Sequence, residues 1–394
     1  MCSMGGKSMS FNFIIISPHY PENFQLFATR LKESGATVLG IADESYDNLS
    51  PLIREALTEY YRVDDMENYH EMYRAVAYFA HQYGAIHRLE SHNEHWLEID
   101  ARLRTDFNIP GLKAHEMDRF KQKSKMKAVF RSINVPVANG RVFEGWEDAS
   151  KLVGELGYPV IIKPNIGVGA NDTWRVNSDE ELSQFFVERN SAETFIMEEF
   201  IDGDIVTFDG LTDQDGNIVF SQNMVYDKPA LEIISKNMES FVLYPKEMPE
   251  DILELGKQCV KAFEIKERFF HFEFFRLKSD QSLVALEVNC RPPGGPMIEM
   301  FNYANNLDIY TQYSQVVFNN QFTADLSQRK NCGYVSRKYY NHYLYTQDDI
   351  YAWYGEFIVS SVMTDGVFGD VGYFIVTDTL NQMQAVVHFI QELA

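Results

Sequence analysis

Cysteine is scarce in this 394-residue chain, with four in all, at Cys2, Cys259, Cys290 and Cys332. No two stand close enough to form a CxxC pair, which argues against a disulfide framework or a cysteine-rich zinc site and leaves Cys290 to read as a core residue. Long apolar runs are missing as well. The continuous cluster near the N-terminus, Phe13 to Ile16, is too short for a signal-peptide core or a membrane span, so the expectation is a cytoplasmic protein without membrane contact. Positive charge is in deficit, with 35 Lys and Arg against 57 Asp and Glu and a formal charge of −22. Such a surface repels nucleic acid, and a phosphorylated ligand would have to be gripped by local positive charge. No GxGxxG turn follows the first strand, where SPHYPEN stands instead, and GVGAND lacks the Gly-Lys-Ser/Thr of a Walker A loop. No repeat or low-complexity tract is evident. The opening MCSMGGKSMS reads as a tag remnant or an alternative start, outside the fold.

What is present alternates between strand and helix. Residues 11–115 begin FNFIIIS, continue with a helix carrying Phe24, Phe27, Ala28 and Leu31 on one face, then TVLGIAD, YYRV, a helix with Met72, Ala75, Val76, Phe79 and Ala80, the strand AIHRLES and a helix from Glu94 toward Phe107. This pattern predicts an open α/β domain with a parallel sheet, Rossmann-like in layout. A second, α+β domain is expected over 116–325. It opens on a helix from about Arg119 to Ser132, and a small subdomain spans about 135–197. Residues 326–394 read as a C-terminal α+β extension.

The residues that carry chemistry cluster in FFHFEFFRLKSDQSLVALEVNCRPPGG. On a strand, side chains two apart share a face, so Glu287, Asn289 and Arg291 point one way while Leu286, Val288 and Cys290 point the other. If SDQ turns a hairpin, a symmetric register pairs Glu273 with Glu287, their β-carbons roughly 5 Å apart. Two carboxylates so placed need a proton or a cation between them, and a hard divalent cation takes oxygen ligands of this kind. A solvated strand face is the alternative, which the phenylalanine-rich first strand disfavours. Upstream, Gly167 and Gly169 sit in a turn where backbone N–H groups could approach a phosphate, although a plain hairpin turn fits too. Lys163 ends the apolar strand PVIIK and there needs an anionic partner. Lys123 lies in FKQKSKMK, a run that also suits a solvated helix face. Glu198, Glu199, Phe200 and Ile201 join TFIM to IDGD, either as a purine-edge contact or as a simple crossing between subdomains.

Taken in order, these segments resemble the ATP-grasp superfamily over nearly the whole chain. KSKMKAVFRSINVPVANG looks like that family's lysine-bearing helix and short strand, PVIIKPNIGVGAND like its second lysine and glycine-rich phosphate loop, IMEEFIDGD like its hinge, and HFEFF with LEVNCRPPGG like its metal-carboxylate strands. The resemblance implies a pre-ATP-grasp domain, a two-subdomain ATP-grasp fold, and ATP and Mg²⁺ as cofactors, with Mn²⁺ an alternative. It makes Lys123, Lys163, Gly167 and Gly169 phosphate ligands, and Glu198, Glu199, Phe200 and Ile201 the adenine hinge. Glu273, Glu287 and Asn289 become metal ligands, and Arg291 with Lys163 catalytic, beside a Gly294-Gly295 turn. Where relatives carry a ribose-binding glutamate this chain has Ile205, leaving Asp204 as a substitute. The implied activity is a carboxylate–amine ligase that passes through an acyl phosphate and releases ADP and phosphate. Its partners are a small-molecule carboxylate and a small-molecule amine, and a homodimer is compatible with it. Bicarbonate activation and a non-catalytic ATP-binding regulator are the rival readings. Candidate substrate determinants are Lys228, Glu232 and Lys236, and in the C-terminal tract Arg337 and Lys338.

Overall fold

The computed structural model describes residues 11–167, 172–228, 236–366 and 368–394. The chain divides into two compact units, one of residues up to 117 together with 308–323, the other of 118–307 and 324–394.

The first unit holds a four-stranded sheet in the order Glu59–Arg62, Ala36–Ala42, Phe11–Ile16, Arg88–Glu90, all parallel. Parallel strands are covered on both faces, which is why Phe13 to Ile16 can be continuously apolar and buried. The helix Tyr69–Tyr83 presents Met72, Ala75, Val76 and Phe79 to this core, starts on the Asn68 cap and stops at Gly84, whose φ of 83° suits glycine. The last helix expected here begins later than Glu94, at Leu97, because residues 93–96 form a turn closed by Trp96 N–H donating to the Asn93 carbonyl. The helix Ile309–Asn319, expected within the second domain, belongs to this unit. Its Tyr310 and Tyr313 stand edge-on to Phe27, and Asp308 pairs with Arg30 at 2.7 Å.

The second unit is built on a nine-stranded sheet. Its path runs Leu283–Asn289, Phe269–Leu277, Gly203–Thr212, Val225–Tyr226, Phe241–Tyr244, Asn331–Arg337, Gly369–Thr377 and Ile358–Gly366, with Ile218–Gln222 paired to Gly203–Thr212. The C-terminal strands therefore continue the central sheet instead of forming a separate body, joined where Asn331–Arg337 pairs with Phe241–Tyr244. A smaller sheet, in the order Gly140–Val142, Phe195–Glu199, Val160–Pro164, Trp174–Val176, carries the helices Trp146–Leu156 and Asp179–Glu188. Its own core includes Phe143, Leu152, Ile162, Phe185 and Met197.

Two local departures position the site. The helix expected from Arg119 to Ser132 is broken at Gln122 into Asp118–Lys121 and Lys123–Ser132. The break frees two amides, and Asn165 takes both. Lys123 N–H donates to its carbonyl at 2.8 Å and Ser124 N–H to its side-chain oxygen at 2.9 Å. This capping ties the lysine helix to the end of the strand that carries Lys163. In the hairpin, Glu273 does pair with Glu287, as the symmetric register requires, but the register slips by one between Glu273 and Phe274. The resulting bulge breaks the alternation, so Leu286, expected on the opposite face, lines the same cavity as Glu287. Among the described residues, no helix is long and apolar enough to cross a membrane.

Candidate active site

A cavity of about 660 Å³ opens in the second unit between the small sheet and the Glu273–Glu287 hairpin. The helix Lys123–Ser132 contributes to it from below, held against the hairpin by Met126, whose sulfur accepts a 3.2 Å contact from Val288 N–H.

One wall is a buried charge cluster. Glu198, only 3% exposed, lies 3.1 Å from Lys163 Nζ and 3.0 Å from Lys127 Nζ. Burial opposes the charge of Glu198, but the two ammonium groups outweigh it and hold the carboxyl below its ordinary range. Burial also opposes the charge of Lys163, and Glu198, Glu287 and Glu273 overcome it, so its pKa is raised. For Lys127 burial wins and the pKa is lowered. Its contact with Glu198 is an ion pair outside hydrogen-bonding angles. The side chain of Glu198 is thus the counterion of two lysines, a duty separate from the backbone contact with a purine edge expected of this segment. Lys127 stands four residues after Lys123 and so on the same helix face.

Lys123 joins this wall to the opposite one. Its Nζ donates to the Gly167 carbonyl at 3.1 Å and lies 3.8 Å from Glu287. Gly169 falls outside the described residues. Across the cavity stand Glu273, Glu287, Asn289 and Arg291, all of them lining it. Among the described residues no group of three or more His, Cys, Asp or Glu is arranged for a metal. Two carboxylates at one register plus the Asn289 amide oxygen nevertheless form a hard-oxygen set that fits Mg²⁺, an ion that normally leaves part of its shell to phosphate oxygens. Sequence reasoning missed His271, two residues before Glu273 on the same strand face. It donates through Nε2 to Glu273 at 3.1 Å and through Nδ1 to the buried Asp209 at 2.6 Å. Burial works against its charge, but the two carboxylates push its pKa up to about 9.

Toward the strand residues after the crossing at 198–201, Ile201, Ile205, Phe275 and Leu286 give the lining an apolar stretch. Glu199 and Phe200 also line the cavity. Glu199 accepts from Asn139 N–H at 2.7 Å and Phe200 lies under the Arg175 guanidinium at 4.3 Å. Asp204, expected here, is exposed and lies outside the lining, because strand alternation turns it away from Ile205. Asp202 lines the rim instead, paired with Lys278 at 3.0 Å. Tyr226, Ser240, Met297 and Phe368 line the cavity together with Arg291. Gly295, with φ 58°, faces the Phe368 ring so closely that a β-carbon there would sit 2.6 Å from it, which explains a glycine at that turn.

The candidate substrate residues outside this lining have structural duties. Arg337 donates to the Ile390 carbonyl at 2.6 Å and the Tyr345 carbonyl at 2.8 Å, and Lys338 donates to Asn237 and to the Gly366 carbonyl. Lys228 reaches the Glu239 carbonyl at 3.4 Å. Neither these three nor Lys236 lines the cavity, and Glu232 falls outside the described residues.

Comparison with known proteins gives four likenesses. Residues 156–299 match the ATP-grasp domain family. The chain is 25% identical over 306 residues to the L-arginine-specific L-amino acid ligase of Bacillus subtilis, a match covering 75% of this chain and 73% of that protein. In three dimensions it is similar to the L-amino acid ligase from Bacillus licheniformis, with a TM-score of 0.74 and 16% identity over 98% of both chains. It is also similar to the biotin carboxylase domain of the Hydrogenobacter thermophilus 2-oxoglutarate carboxylase, solved with MgADP, ADP and bicarbonate, with a TM-score of 0.69 and 15% identity over 96% of this chain and 89% of that one. At such identities the structural likeness speaks for the fold.

Proposed function

From the ATP-grasp domain that this chain carries, we propose that it is an ATP-dependent carboxylate–amine ligase. A substrate carboxylate oxygen attacks the γ-phosphorus, the bond to the ADP oxygen breaks, and an acyl phosphate forms. The amine nitrogen then attacks the acyl carbon, phosphate leaves, the nitrogen loses a proton, and an amide remains. The observation that carries this reading is the 3.8 Å approach of Lys123 to Glu287, which makes the lysine wall and the carboxylate hairpin two sides of one cavity.

In this arrangement Lys123 and Lys163 would bind the ATP phosphates, with Lys127 adding charge from behind Glu198. Glu198, Glu199, Phe200 and Ile201 would border the base, Glu198 through its backbone, with the apolar side chains of Ile205, Phe275 and Leu286 available to the ring. Glu273, Glu287 and Asn289 would hold Mg²⁺, which supplies charge neutralisation of the phosphates when bound; Mn²⁺ would suit the same oxygen set. Arg291 offers a fixed guanidinium to oxygens that gain charge during transfer. An acyl phosphate is vulnerable to water, so the walls would have to shield it during transfer. The substrates are a small-molecule carboxylate and amine. Amino acids tested in pairs are the first panel, since the Bacillus subtilis relative is named for one.

Two outcomes are expected. Millimolar Mg²⁺-ATP raises the melting temperature, because a ligand that binds only the folded state stabilises it by mass action; an unchanged melting curve together with no heat of binding in calorimetry would remove the nucleotide. With the carboxylate substrate, ATP and hydroxylamine in place of the amine, a hydroxamate accumulates alongside ADP. Release of AMP and pyrophosphate would replace phosphorylation by adenylation, and ADP release driven by bicarbonate alone would shift the reading to carboxylation.

A further inference from the structure

The metal-facing carboxylate Glu273 does not stand on a strand face by itself. Behind it runs a buried chain of hydrogen bonds that crosses two strand pairings. His271 pairs with Asn289 on one side and with Asp209 on the other, so the imidazole lies in the same row as both. Asp209 is fully buried, and its two oxygens take three donors. Oδ1 accepts from His271 Nδ1 at 2.6 Å, and Oδ2 accepts from the Thr207 hydroxyl at 2.6 Å and the Tyr244 hydroxyl at 3.1 Å. Thr207 is itself fixed, its oxygen accepting from Met224 N–H at 2.9 Å. At the far end His271 Nε2 donates to only one oxygen of Glu273, Oε1, at 3.1 Å.

A buried carboxylate with three donors cannot turn, so it fixes the imidazole plane, and the imidazole in turn fixes which Glu273 oxygen faces the protein. Resting on the ligase reading, we propose that His271, anchored by Asp209, is a positioning residue for the metal site: it clamps Glu273 Oε1 so that the other carboxylate oxygen is held toward the Glu287 and Asn289 oxygens. Outer groups of this kind orient metal ligands and typically change metal affinity or activity by about 10–100-fold when lost.

The test reads metal dependence of nucleotide binding and needs no turnover. A non-hydrolysable ATP analogue is titrated calorimetrically into the full chain, in EDTA and at rising Mg²⁺ concentrations, for wild type, His271→Asn, His271→Gln and Tyr244→Phe. In His271→Asn the Mg²⁺ concentration giving half of the metal-dependent tightening rises about 10–100-fold, while affinity in EDTA stays at the wild-type value. Tyr244→Phe, which removes one Asp209 donor and keeps the ring, shifts it in the same direction by less. His271→Gln, which keeps a donor for Glu273, falls between wild type and His271→Asn and carries the test should His271→Asn not fold. Wild-type metal dependence in the folded variants overturns the proposal, as does an equal loss of binding in EDTA and in Mg²⁺, which would mark a general collapse of the cavity. If wild type itself shows no Mg²⁺-dependent binding, the ligase reading falls and takes this one with it.

Discussion

Glu287→Gln lowers Mg²⁺-dependent ADP release by on the order of 10²–10³-fold, the scale seen when one preorganised electrostatic contact to a developing charge is lost. The substitution keeps the shape of the side chain and one oxygen, but it removes a negative charge from a donor set that holds two carboxylates at one strand register. Its amide nitrogen also offers a donor where a metal ion requires an acceptor. Stability moves little, because two effects oppose each other: the repulsion from Glu273 is relieved, and Lys123 loses its 3.8 Å partner. The measurement is initial ADP release against Mg²⁺ concentration, with a melting curve on the same preparation. Wild-type turnover in a folded Glu287→Gln protein would take the carboxylate out of the chemistry, and an unfolded variant would assign it a structural duty.

Glu198→Gln has its largest effect on stability instead. It leaves Lys127 and Lys163 as two buried cations without their shared counterion, and breaking a buried pair from one side costs about 3–5 kcal/mol. The nucleotide should offset part of this loss, since its phosphates can neutralise the same lysines. In urea unfolding, the midpoint of the variant falls well below that of wild type without nucleotide, and ATP narrows the gap. The pH dependence has a definite sign. The Glu198 carboxyl titrates lower in the folded state than its ordinary 4.5, so its contribution is complete above that value and is lost as the pH falls through the depressed one. The difference between wild type and variant therefore shrinks on acidification. A gap that ATP leaves unchanged would mean that these lysines do not meet the phosphates.

Much of the second unit was legible because its signals are local. The strands PVIIKP and TWRV follow from their apolar runs, and the hairpin from two strands separated by a polar turn. The Glu273–Glu287 pairing followed from counting alone. Reading failed where a partner is distant in sequence. The break at Gln122 depends on Asn165, and the ion pairing of the Glu198 side chain depends on Lys127, some 70 residues earlier in a different element. The run FKQKSKMK reads as a solvated face because lysines usually are solvated. Only the depth of the cavity makes Lys123 and Lys127 buried while Lys125 stays exposed.

By itself the sequence determined the main strands and helices, the facing carboxylates and the order of chemical parts along the chain, since each rests on periodicity or on neighbours within a few residues. The tertiary structure alone decided three things. It routed the C-terminal strands into the central sheet and turned Leu286 into the cavity through a bulge. It also set His271 between Asp209 and Glu273. Each depends on which strand lies beside which, and strand order is set by burial and backbone pairing over the whole unit, not by the residues that happen to be adjacent in the chain.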